Sequence, residues 1–190
     1  MSKKSKKNQI KESALSLFSE KGYKFVTADM IVEKAGVSKG LLFFHFQSMK
    51  GLLSELLLDW LGPKWKKLAN LDTSNMNLCE SIELIFEMVR SNLLIHEGQY
   101  KLYYNILLNE PNLFSELKVH ELDSYKEMTN FLRLIFQKSN IAKVEDEIIL
   151  LSTTLIGLEV QYCIIDSKVG LKHFDVSKKL FLQRYERFDN

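Results

Sequence analysis

At 190 residues, with 46% hydrophobic and 26% charged side chains, the chain is long enough to bury a real core and has the make-up of a soluble globular protein. Two prolines and eight glycines are too few for a turn-rich sandwich of short strands, so an all-α fold of long helices is expected. The net charge of +2 conceals an imbalance: residues 1–50 hold ten lysines against Glu12, Glu20, Asp29 and Glu33, a balance of +6, while the remainder carries −4. A basic small unit joined to a mildly acidic larger one points to a polyanionic partner for the first part, a solvated lysine tail being the plainer alternative.

The first helix is marked by Ile10, Ala14, Leu17 and Phe18, which fall on one helical stripe, and it stops at Gly22. Thr27 offers a hydroxyl N-cap to a short helix that carries Ile31 and Ala35 inward and breaks at Gly36. Ser38 caps the next helix, and Leu42 and Phe46, four apart, anchor it on the first two. Two short helices joined by a tight turn at Gly36-Val37 have the anatomy of a helix-turn-helix, whose second helix presents its first turn, here Lys39, Gly40 and Leu41, to a major groove.

After a cap at Ser48, a long helix is expected from Met49 towards Leu71, interrupted at Gly62-Pro63. Asp72 to Asn77 reads as a linker, and Asn77 with Glu80 as a capping box. Further helices are expected over about 78–96, 98–109, 112–138, 144–166 and 173–188, punctuated by Glu110-Pro111, Asn140 and Gly170, for about nine helices in all. Ile148 to Ile165 is nearly long enough to span a bilayer, but Glu159 and Gln161 inside it favour a buried helix and no membrane partner. Apolar residues go nearly all round that segment, and Phe174, Phe181, Tyr185 and Phe188 follow. One face can pack on the chain's own core and another on a second copy, giving a four-helix dimer interface with Leu155, Tyr162, Phe174, Phe181 and Tyr185 as its candidate residues.

Cys79 and Cys163 lie far apart in apolar stretches and read as reduced core residues. The start of the chain lacks the apolar core of a secretory signal, so a cytoplasmic setting is expected. His45, His96, His120 and His173 are scattered, and there is no phosphate-binding glycine loop or nucleophile elbow. No metal, cofactor or catalytic role is therefore expected.

The ensemble Ile10, Ala14, Leu17, Phe18, Gly22, Tyr23, Thr27, Ile31, Ala35 to Gly40, Leu42 to Phe46, Ser48 and Leu52 resembles the TetR family of bacterial transcriptional regulators over about a quarter of the chain. The resemblance implies a DNA-binding domain over residues 1–48 and a larger helical ligand-binding and dimerisation domain over 49–190. It also implies a homodimeric repressor released from a palindromic double-stranded operator by a small-molecule effector; a non-catalytic helical interaction module is the alternative. Carried over by position, it puts Thr27 on a phosphate at the start of the first motif helix, Ser38 at the cap of the second, Lys39, Gly40 and Leu41 on base edges, and His45 on a phosphate. Phe43 replaces the family's usual tyrosine, which removes a hydroxyl contact, and Met49 replaces its lysine, with Lys50 one place on and about 100° round the helix. Phosphate affinity then leans on Lys3, Lys4, Lys6 and Lys7 as an arm towards a flanking minor groove. Phe43 and Phe44 cannot both be buried beside Leu42 and Phe46, so an outward ring against DNA is expected. In the larger domain Phe86, Tyr100, Tyr103, Tyr104, Phe131, Glu159 and Tyr162 are the candidate effector contacts, suited to an apolar or weakly cationic molecule.

Overall fold

The computed structural model describes residues 5–139 and 141–186; Lys3, Lys4, Asn140 and Phe188 lie outside them. Among the described residues the fold is all-α, with ten α-helices, two short 3₁₀ turns and no strand. Two compact units are formed. One holds the described residues through Leu61 together with Gly98–Lys118; the other holds Gly62–Glu97 and the described residues from Val119 onward.

The first unit begins with α1 (Lys6–Lys21), α2 (Ala28–Ala35) and α3 (Lys39–Phe46). Of the apolar residues expected to anchor them, Ile10, Ala14, Phe18, Ile31 and Leu42 are fully covered and Leu17 and Phe46 nearly so, whereas Ala35 at the end of α2 is only half-buried. Gly22 ends α1 at φ 83°, ψ 147°, a positive-φ extended conformation that glycine alone adopts without strain. α4 (Met49–Ala69) follows, its first turn capped by Ser48, which accepts from the Gly51 amide at 2.9 Å. The expected interruption at Gly62-Pro63 is not a break: the helix runs on, and the ring leaves the Asp59 carbonyl without its usual amide donor. α6 (Glu97–Asn109) and α7 (Pro111–Ser115), the latter begun by the predicted proline, complete this unit. Tyr100 meets Trp60 edge-on at 4.7 Å between ring centres, and Tyr103 meets Phe114 at 5.4 Å.

The second unit contains α5 (Leu78–Ile95), α8 (Asp123–Lys138), α9 (Val144–Ile164) and α10 (Ser167–Tyr185). α5 starts with the capping box read from sequence: Asn77 accepts from the Glu80 amide and Glu80 from the Asn77 amide, at 2.8 and 2.9 Å. The single helix expected over 112–138 is broken. The chain turns at Lys118, where φ is +46°, and buries Leu117 and Val119 on either side before α8 begins. α10 also starts earlier than expected. Asp166 caps it by accepting from the amides of Lys168 and Val169, and Gly170, read as punctuation, sits buried within its first turns. A Cβ there would come within 2.6 Å of the Tyr162 Cα, so this glycine lets two helix backbones approach closely.

α9 is the one described helix long and apolar enough to cross a membrane, but it packs against α5, α8 and α10. Its Glu159 is buried and accepts a hydrogen bond from Lys64 at 3.1 Å. Both cysteines are unbridged and half-buried.

Candidate nucleic-acid interface

The α2–α3 pair is fixed by three local devices. The Thr27 hydroxyl accepts from the Met30 amide at 3.3 Å, and the Ser38 hydroxyl from the Leu41 amide at 3.2 Å, so each helix begins on a side-chain cap. Between them Gly36 takes the left-handed conformation (φ 61°, ψ 45°), and the Val37 amide closes back on the Val32 carbonyl. With Leu42 and Phe46 pinned inside, the other side of α3 has to face outward. Lys39, Gly40, Phe43 and Phe44 are exposed there, Leu41 and His45 half-buried. Both phenylalanines are outward, Phe44 far more so at 78% exposure against 36%, and its ring touches His45 edge-on. Two apolar rings in water on a basic helix are a cost that a groove contact would offset.

A connection that sequence reasoning missed joins α3 to α4. Gln47 has φ 62° and ψ −37°, and the Ser48 amide donates to the Phe46 carbonyl at 2.6 Å, which makes a γ-turn of the rare positive-φ hand. Gly51 follows, where any Cβ would collide with the Phe46 carbonyl oxygen. No dipeptide turn signal announces this corner, yet it sets the angle at which α3 leaves α4.

The lysines of this region are tied to carboxylates. Lys39 pairs with Asp29 of α2 at 3.0 Å, and Lys50 with Glu116, 66 residues away in sequence. Lys24 pairs with Glu110 at 2.7 Å beside an open groove of about 480 Å³ that Tyr23, Phe25, Asn105 and Asn109 also line. Lys11 holds Glu55 and Asp59, whose carboxylates raise its pKa above the ordinary lysine value, the Asp59 hydrogen bond foremost. Lys6 and Lys7, expected in an extended arm, are instead the first turn of α1, and Lys7 pairs with Glu55 at 2.8 Å.

The effector candidates fall into both units. Tyr100, Tyr103 and Tyr104 are in the first, where Tyr100 and Tyr104 are wholly covered and Tyr103 half-buried. Phe86, Phe131, Glu159 and Tyr162 are in the second; Phe86 touches Phe174 and Phe181 ring to ring, and Phe131 is half-buried. The five dimer candidates, Leu155, Tyr162, Phe174, Phe181 and Tyr185, are all buried within the second unit. What α9 and α10 leave outward is another set: Ile149, Ile156 and Ile164 on one, Val169, Val176 and Leu180 on the other. Among the described residues no group of His, Cys, Asp or Glu comes together as a metal site.

Residues 10–56, the span of this helix-turn-helix with its supporting helices, match the model of the bacterial regulatory proteins of the tetR family. Over these residues the chain resembles that family's DNA-binding domain. The biofilm operon icaADBC HTH-type negative transcriptional regulator IcaR of Staphylococcus aureus is 30% identical over 113 residues, 57% of each chain, so this chain matches a little over half the length of that relative. Solved structures share the fold over nearly the whole chain. A transcriptional regulator from Saccharomonospora viridis in complex with choline has a TM-score of 0.74 at 18% identity, covering 93% of this chain and 95% of its own. The regulator FadR from Bacillus subtilis in complex with stearoyl-CoA has a TM-score of 0.71 at 16% identity, covering 89% and 96%. The chain thus shares with these structures its overall helical fold, an N-terminal helix-turn-helix followed by further helices.

Proposed function

We propose that this chain is a DNA-binding transcriptional regulator of the TetR family and of the cytoplasm, a homodimeric repressor released from a palindromic operator by a small-molecule effector. The observation that carries the reading is the exposed side of α3. Lys39, Gly40, Phe43 and Phe44 stand outward on a helix whose opposite side is locked into a small core, which is the arrangement a major groove requires. In this reading residues 1–48 read DNA and 49–190 bind the effector and dimerise. Thr27, Ser38, His45 and Lys50 hold phosphates, and Lys39, Gly40 and Leu41 meet base edges, with Phe43 and Phe44 against sugars or thymine methyls.

Dimerisation is assigned to the outward apolar stripes of α9 and α10, since two helices from each of two chains make a four-helix interface and these residues stand exposed among the described residues. The effector is placed among Phe86, Phe131, Glu159 and Tyr162. Because Glu159 already holds Lys64, a cation entering there would have to displace that ammonium, whereas an apolar molecule needs only the rings to part. α4 begins where the DNA-reading part ends and contributes residues to both compact units, which makes it the natural transmission element. An effector that binds one tilt of α4 better than another changes the spacing of two recognition helices, which must match a turn of DNA.

The test is selection of bound genomic fragments followed by footprinting over a range of salt. A palindromic protected site, with affinity falling steeply as salt rises, is expected. Equal affinity for all sequences at every salt concentration overturns the reading.

A further inference from the structure

Two of the lysines proposed to meet DNA are each paired with a carboxylate: Lys39 with Asp29 and Lys50 with Glu116. About half of each lysine side chain remains exposed, as does more than half of each carboxylate, so these are surface pairs that a stronger anion can take apart. We propose that Asp29 and Glu116 are competitors of DNA phosphate, built into the DNA-binding unit to hold down its affinity for non-specific duplex. The inference rests on the DNA-binding reading and goes beyond it, because it assigns acidic residues a role on a surface whose basic residues alone would be expected to matter.

On duplex of no preferred sequence, where Lys39 finds no matching base, a phosphate can engage Lys39 or Lys50 only after the ammonium leaves its carboxylate, so each contact is weakened by the strength of the pair it replaces. Each carboxylate is then left close to the polyanion, where it repels phosphate and draws back a cation. That uptake cancels part of the counterion release that drives binding, so the salt dependence is shallower than the lysines alone would give. The two carboxylates also reach the surface by different routes. Asp29 lies in the first turn of α2, ten residues before its partner, while Glu116 follows α7 and arrives through the fold.

The test measures affinity of the full chain for a short duplex of random sequence across salt concentrations, for wild type, Asp29→Asn and Glu116→Gln. All four side chains are exposed, and unchanged melting curves check that the variants fold. Each neutralised variant is expected to bind about two- to fivefold tighter at low salt, the range a surface pair can supply. Its slope of log affinity against log salt is expected to steepen by up to about 0.9. Glu116→Gln is expected to gain less on top of Lys50→Gln than it does alone, and Asp29→Asn less on top of Lys39→Gln, because only the direct repulsion of phosphate is then left to remove. A wild type that binds DNA while both neutralised variants match it, or bind more weakly, overturns this inference alone. A wild type with no salt-dependent affinity for duplex overturns the DNA-binding reading and this inference with it.

Discussion

Lys64 of α4 donates to Glu159 of α9 over 3.1 Å, where 14% and 6% of the two side chains reach solvent. A pair this deep is held by its partners rather than by water. Removing one partner strands the other, at about 3 to 5 kcal/mol, whereas replacing both by apolar residues of similar size is often neutral. Lys64→Met and Glu159→Leu should each lower stability by roughly that amount. The double variant should recover most of the loss, as read by urea unfolding. If the single variants unfold like wild type, the pair is not stabilising the packing of these two helices.

The corner between α3 and α4 gives a prediction of opposite signs. Gly51→Ala forces a methyl into the Phe46 carbonyl and must shift α4 or the γ-turn, at about 1 to 3 kcal/mol. Because the shift reorients α3, DNA affinity should fall more than stability does. Gln47→Gly relieves a positive φ and should stabilise the fold by up to about 1 kcal/mol with DNA binding retained. Paired melting and DNA titration of the two variants check this; a Gly51→Ala variant with wild-type affinity removes the corner from the recognition geometry.

These two cases also show why some features were legible in the sequence and others not. The helix-turn-helix was readable because its determinants are local: Thr27 and Ser38 cap within three residues, Gly36 turns, and Leu42 and Phe46 fall one helical turn apart. The break at Lys118 has no proline or glycine to mark it and arises because Leu117 and Val119 find cover. Gly170 is ambiguous by itself, since a glycine signals either a breaker or a close approach, and only the backbone of Tyr162 decides. The ion pair of Lys50 with Glu116 joins residues 66 apart and leaves no pattern at all.

Tyr185 supplies a pH-dependent prediction. Its ring is fully buried and its hydroxyl donates to Glu147, which also binds Arg184 at 2.6 Å. Burial first, and then the neighbouring carboxylate, push the phenol pKa well above its ordinary value. A group whose pKa is raised by folding contributes its stability in full below its unfolded value, about 10 for a phenol. That contribution is lost as pH rises from there through the folded value. Tyr185→Phe should cost about 1 to 2 kcal/mol near neutrality for the lost hydrogen bond to a charged group. Above pH of about 10 the variant should lose less stability per pH unit than wild type. Urea midpoints at neutral and alkaline pH measure both; parallel decline of the two proteins would show that Tyr185 does not titrate with unfolding.

On α9 two neighbouring residues should respond in opposite ways, because Leu155 faces the chain's own core at 8% exposure and Ile156 points outward at 48%. Leu155→Ala removes buried methyl groups and should cost about 2 to 4 kcal/mol, leaving any dimer that still folds intact. Ile156→Glu touches little within the chain, so the monomer should keep its helicity. Two carboxylates brought together at a dimer seam would be desolvated and mutually repulsive, and the assembly should dissociate. Leu180→Glu on α10 should do the same. Light scattering gives the mass and circular dichroism the helicity of each variant. Half the wild-type mass for Ile156→Glu with unchanged helicity, together with weaker operator binding through loss of the second half-site, is the expected pattern. A wild type that is monomeric at every concentration, or an Ile156→Glu variant of undiminished mass, would show that the outward stripe of α9 does not form the seam.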